Sequence, residues 1–191
     1  MLKPAAGAGR WTAADLGGRP ENGLRYEVLN GQLVVSAAPE PRHQTLIRRL
    51  VRALVGTAPS EFVVLDGGGI LIGEDEAVPD LIVGQGDIPM DSRGVPADRV
   101  QLAVEVVSAS TTLQDRMVKP VLYAAAGIPN YWRFEINSFE GRLPGEELPV
   151  LFAHVLGSDN TYEQTHRVAA GEKVTLRSPF EVVIDPGTLL P

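Results

Sequence analysis

At 191 residues, with 44% hydrophobic and 21% charged residues, the chain has the size and composition of one globular domain able to bury its own core. It contains no cysteine, which excludes disulfides and thiolate metal sites and favours a cytoplasmic setting. A net charge of −7 with a pI near 5.0 excludes indiscriminate nucleic-acid binding, so any contact with phosphates has to be local.

No stretch approaches the roughly 20 apolar residues of a membrane span. Residues 1–10, rich in Ala and Gly, lack the apolar core of a signal peptide and read as a disordered lead to a single domain over 11–191. Thr12 is placed to cap a short helix ending at Gly17-Gly18, with loop over 19–23. Residues 25–29 and 32–36 flank Asn30-Gly31, the strongest short hairpin signal. Glu27 lies on the first of these strands, where an exposed position is the ordinary expectation.

After Pro39 and Pro41, the spacing of Ile47, Leu50, Val51, Leu54 and Val55 predicts a helix with one buried stripe. Arg48, Arg49 and Arg52 fall on the other side, as a solvated basic face or as a guide for a phosphate backbone. Arg42, His43 and Gln44 sit at the amino end, where free N–H groups and the helix dipole favour anions. With Arg48, these are the candidates to meet a phosphate.

Residues 62–65 and 70–72 read as a hairpin around Gly67-Gly68-Gly69; no P-loop is formed, since no helix and no Lys-Ser/Thr pair follow. Glu74-Asp75-Glu76 reads as a solvated turn, and 85–99 as a long surface loop. Between them, Pro79-Asp80 introduces an apolar strand over 81–83.

Residues 102–107 read as a strand buried on both faces, and Glu105 stands inside it. An ionised carboxylate there costs several kcal/mol unless a cation or hydrogen-bond donors meet it. Thr112 and Asp115 have the spacing of a capping box opening a helix through Tyr123 to Gly127, with Pro120 confined to its first turns. Lys119 on that helix is one candidate to meet Glu105. A metal ion shared with Asp80 is another, and two acids with one lysine make a hydrolytic set. Asp115 and Lys119 are also spaced for an exposed i, i+4 salt bridge.

A strand over 131–136 follows. Residues 150–156 and 162–168 form a long hairpin, and short strands near 174–176 and 181–184 end the chain. His154 and His166 sit on opposite arms of the hairpin, without an evident third metal ligand.

Taken together, Pro79-Asp80, Glu105-Val106-Val107, Ser108-Ala109-Ser110-Thr111, Asp115 and Lys119 resemble the PD-(D/E)XK nuclease superfamily. The similarity is to a bacterial group labelled "putative restriction endonuclease" (Uma2-like), and it runs from Trp11 through Tyr26-Glu27, Pro41-Arg42-His43-Gln44 and Gly127-Ile128-Pro129 to Trp132. Two departures stand out. Val107 occupies the place of the superfamily's usual lysine, and the resemblance implies that Lys119 supplies the ammonium instead. Ala109 replaces a common loop proline.

The resemblance implies an α/β (α+β) fold with a mixed central sheet flanked by helices. An N-terminal hairpin, a core over 24–136 and a C-terminal antiparallel extension over 150–185 complete it. It implies Mg²⁺ or Mn²⁺ held by Asp80, Glu105 and the Val106 carbonyl, with Glu27 assisting, and phosphodiester hydrolysis of nucleic acid, DNA above RNA, by a homodimer. A non-cutting module of the same fold, binding nucleic acid or protein, is the alternative. Hydrolysis of a small phosphate ester is a third.

Overall fold

The computed structural model describes residues 9–18, 20 and 22–191. The expected lead over 1–10 lies outside the described residues except for Gly9 and Arg10, and so does part of the 19–23 loop. The expected cap by the Thr12 side chain is replaced by its reverse: at the head of a 3₁₀ helix over Ala13–Gly18 the Thr12 N–H and Oγ1 each donate to Asp15 at 2.8 Å, so the Asp15 carboxylate reaches back to Thr12. Strands β1 (Arg25–Leu29) and β2 (Gln32–Ser36) pair across Asn30 and Gly31, whose φ values of 53° and 73° suit a two-residue hairpin turn.

Helix α1 (Pro41–Val55) buries Leu46, Ile47, Leu50 and Leu54, while Val55 is exposed, so the apolar stripe ends one residue early. Each full burial of such a side chain contributes about 1.5–3 kcal/mol.

The glycine run does not close a hairpin. Strand β3 (Phe62–Asp66) pairs with β6 (Leu81–Gln85), while β4 (Gly69–Ile72) pairs with β5 (Asp75–Ala77), so Gly67–Gly69 carry the chain from one sheet to another. Of the acid run only Glu74 stands in the expected solvated turn, and Asp75 and Glu76 open β5. Glu76 is buried against Arg93, and Asp75 accepts from the N–H groups of Asn30 (2.7 Å) and Gly31 (2.9 Å). Residues 85–99 are partly ordered: β7 (Gly94–Pro96) runs parallel to β4, and Ile88 and Val95 enter the core. A Cβ at Gly94 would meet the Gly69 carbonyl oxygen at 2.7 Å, which explains the glycine.

Strands β8 (Val100–Val107), β9 (Asn130–Glu135), β10 (Val150–Leu156) and β11 (Tyr162–Val168) complete a mixed six-stranded sheet in the order β11-β10-β9-β8-β6-β3. The β8–β9 pair is parallel and the others are antiparallel, so the predicted C-terminal hairpin widens the central sheet. A five-stranded sheet, β2-β1-β5-β4-β7, and a small pair, β12 (Val174–Leu176) with β13 (Val182–Ile184), accompany it. Strand period two sorts β8 between two cores. Leu102, Val104 and Val106 join α1 and the C-terminal strands, whereas Ala103 joins helix α2 (Lys119–Ala125) and the five-stranded sheet. Glu105 shares the α2 side with Ala103. This is the mixed α+β arrangement anticipated, with few helices.

Candidate functional site

The parallel β8–β9 step requires a crossover, and α2 supplies it, returning Lys119 over Glu105. Lys119 is 1% exposed, and its Nζ lies 3.0 Å from Glu27, 3.1 Å from Glu105 and 3.5 Å from Asp115. It also donates to the Val78 carbonyl at 3.2 Å. The Tyr123 hydroxyl, one helical turn beyond Lys119, donates to Glu105 Oε1 at 2.7 Å. The N–H of Val78 donates to Glu27 at 2.7 Å, which ties β1 to the approach of β6.

The helix that carries Lys119 is wound as a π-turn over Gln114–Val118 just before α2. A proline at 120 offers no N–H and crowds the carbonyl four residues back, so the wider turn relieves both. The anticipated capping box is absent: the Thr112 hydroxyl donates to the Ser108 carbonyl, and the Asp115 N–H to that of Thr111. Asp115 and Lys119 are not an exposed pair either. Both are buried in the cluster.

Asp80 follows Val78-Pro79 at the entry to β6. Leu81–Val104 ends the β6–β8 ladder, so Asp80 and Glu105 are the next residues on the two strands. Asp80 Oδ1 accepts from Arg25 at 2.8 Å; Oδ2 accepts from the Val106 N–H at 2.8 Å and lies 3.1 Å from His43 Nε2. Burial alone would raise the Asp80 pKa, but the His43 hydrogen bond and the Arg25 charge outweigh it and bring it down to about 2.

Glu105 behaves oppositely. Burial pushes its carboxyl well above the usual range against the pull of Lys119, and the charges of Asp115, Asp80 and Glu27 add to the rise. Burial would also strip the Lys119 proton, yet Glu105, Glu27 and Asp115 raise its pKa and keep it charged. Four carboxylates, Glu27, Asp80, Glu105 and Asp115, therefore gather around two full cations, Lys119 and Arg25.

Glu105 and Lys119 are sealed, but Asp80 lines two hollows. One, of about 240 Å³, is lined by Arg25, His43, Gln44, Arg48 and Asp66 as well, and has room for roughly eight waters at ~30 Å³ each. The structure thus brings His43, Gln44 and Arg48 to Asp80. Arg42 is exposed and lines neither hollow.

Among the described residues no three His, Cys, Asp or Glu side chains form a ready metal cage. The donor chemistry nevertheless suits a hard cation that keeps several waters. A carboxylate offers about four lone-pair sites. Asp80 uses one on Oδ1 and two on Oδ2, and Glu105 uses both sites of Oε1 and one of Oε2. One oxygen on each remains able to accept, and the excess of buried negative charge favours a divalent ion.

Arg25, Tyr123 and the burial of Asp115 were not anticipated. Arg25 and Glu27 are two apart on β1 and so share a strand face; Asp115, Lys119 and Tyr123 recur every four residues, a helical stripe that carries the signal. A bulge in the C-terminal hairpin sets His154 opposite Gln164 and His166 opposite Ala153, so the two histidines do not meet.

No curated protein is significantly similar to the chain. Among solved structures it is similar to "a putative nuclease belonging to DUF820" from Anabaena variabilis, at 15% identity and a TM-score of 0.65 over 88% of this chain and 89% of that one, a likeness of fold. The Uma2 family model, described as "Putative restriction endonuclease", matches residues 14–185, a span that holds every residue of the cluster. By that match the chain belongs to the Uma2 family.

Proposed function

We propose that the chain hydrolyses phosphodiester bonds of DNA in a divalent-metal-dependent reaction at the Asp80–Glu105–Lys119 cluster. One observation carries the reading: three groups distant in sequence are gathered beside the Asp80 hollow, with Lys119 3.1 Å from Glu105 and an acceptor oxygen left on each of Asp80 and Glu105. Asp80, Glu105 and the Val106 carbonyl are the groups that would hold Mg²⁺ or Mn²⁺, and an ion bound there acidifies a water and offsets charge on the phosphate.

The chain's own residues do the rest. Gln44, at the amino end of α1, and Arg48, one turn further along it, orient the phosphate beside Asp80. Arg25 and His43 hold Asp80 ionised and in place. Lys119 sets a fixed positive charge against Glu105, and Glu27 positions Lys119. Tyr123 donates to Glu105 and fixes the orientation of its carboxylate. A single copy offers one such centre, so cutting both strands of a duplex calls for two copies.

A second reading, a non-cutting module of the same fold, is favoured by the sealing of Glu105 and Lys119 at 0% and 1% exposure. Calorimetric titration of Mn²⁺, run beside cleavage of supercoiled plasmid, separates the two. Metal binding and cleavage that both vanish in Asp80→Ala support the enzyme. Absence of binding and cleavage at millimolar metal overturns it and leaves the module.

A further inference from the structure

A separate hollow, of about 530 Å³, lies between α2 and strands β9 to β11, and neither Asp80, Glu105 nor Lys119 lines it. Its volume is within the roughly 300–1,000 Å³ of small-molecule pockets. Pro120, Val121 and Ala124 form an apolar helical wall.

The opposite wall is aromatic and cationic. Tyr131 and Arg133 are two apart on β9 and face the same way, and the β9–β10 register sets His154 opposite Tyr131. The Tyr131 ring centroid is 5.5 Å from His154 and 5.6 Å from Tyr162. Arg116 and Arg133 share one carboxylate, Glu135: Arg116 donates from Nε at 2.8 Å and Nη2 at 2.7 Å, and Arg133 Nε lies 3.2 Å away. Nη1 of Arg116 and both terminal nitrogens of Arg133 make no hydrogen bond to a described residue. Spare guanidinium N–H groups recognise phosphate oxygens in pairs, and a ring wall beside them accepts a planar base by stacking.

We propose that this hollow binds a nucleotide, its base against His154 and Tyr162 and its phosphate at Arg116 and Arg133. Among aromatic anions, the choice of a nucleotide rests on the nuclease reading; the geometry of the pocket does not.

Calorimetry with adenosine 5′-monophosphate, in the presence of chelator so that no metal contributes, tests it. Adenosine and inorganic phosphate should each bind at least about tenfold more weakly, since each lacks one half of the recognition. Val121→Glu, at a rim position 68% exposed and so harmless to folding, and Arg133→Gln should each weaken binding roughly tenfold or more, while Asp80→Ala should not. A short single-stranded DNA in place of the mononucleotide reports the source: tighter binding marks a strand subsite, weaker binding a free-nucleotide site. No binding at millimolar nucleotide overturns the proposal, as does binding lost in Asp80→Ala but kept in Val121→Glu. Plasmid cleavage intact without nucleotide binding would sink the pocket alone, and nucleotide binding without metal-dependent cleavage would sink the nuclease alone.

Discussion

Replacing Lys119 by methionine keeps the length of the side chain and removes the ammonium that three buried carboxylates share. Breaking a buried ion pair by deleting one partner costs about 3–5 kcal/mol, because the remaining charge has no compensation. That is a large part of the roughly 5–15 kcal/mol that holds a domain folded. For a chain of this size each kcal/mol moves the melting temperature by about 2–4 °C, so Lys119→Met should melt about 6–20 °C lower in chelator. The double variant Lys119→Met with Glu105→Gln should recover part of the loss, since one stranded charge is gone. Millimolar Mn²⁺ should raise the melting temperature of Lys119→Met more than that of the wild type, a divalent ion standing in for the missing cation. Thermal melts by circular dichroism read all of this. A single variant that melts within about 2 °C of the wild type in chelator would refute the electrostatic account of the cluster.

Asp80→Ala should lower metal-dependent plasmid cleavage by roughly 10² to 10³ or more, as loss of an electrostatic stabiliser does, with circular dichroism confirming the fold. Arg48→Gln with Arg52→Gln should reduce the salt slope of DNA binding by about 2, near one for each phosphate that no longer meets a guanidinium, as measured by fluorescence anisotropy across salt concentrations. Glu146 accepts from Arg167 at 2.7 and 2.8 Å, and that pairing, helped by the Leu143 N–H, holds its carboxyl below the usual range. A carboxyl with a depressed folded pKa contributes stability above its ordinary value, near 4.3, that is lost as pH falls through the folded one. Glu146→Gln should therefore lower the melting temperature at pH 7 and leave it unchanged near pH 2.

What was legible beforehand follows from where a local cause decides the outcome. Asn30-Gly31 marks a hairpin because both positions must take φ above zero, a demand met within two residues. Glu105 announces a site because a carboxylate inside a strand buried on both faces has to be answered by something. Lys119 was within reach because the answer lay one crossover away. The switch between sheets at Gly67–Gly69 was not legible, since β3 pairs with β6 and β4 with β5 through pairings that no local pattern encodes. Arg25 and Tyr123 escaped for a related reason. An arginine opening a strand and a tyrosine on a helix have ordinary explanations, and only the fold brings them to Asp80 and Glu105.

The acidic total that weighs against a nucleic-acid partner loses much of its force once the charges are placed. Glu27, Asp80, Glu105 and Asp115 contribute four of the negative charges, and all are buried in one cluster where Lys119 and Arg25 screen them from outside. Helix α1 contains four arginines, Arg42, Arg48, Arg49 and Arg52, all exposed, and no acid anywhere along Pro41–Val55. Its amino end opens at the Asp80 hollow through His43 and Gln44, and Arg48 lines the same hollow one turn further along. A phosphate backbone approaching along α1 would meet four arginines there, against the exposed acids Glu40 and Asp66 at the rims of the two hollows and Asp80 at the floor. Local charge decides the encounter because fields beyond about 8 Å are screened at physiological salt, which leaves the net charge of the chain with little say.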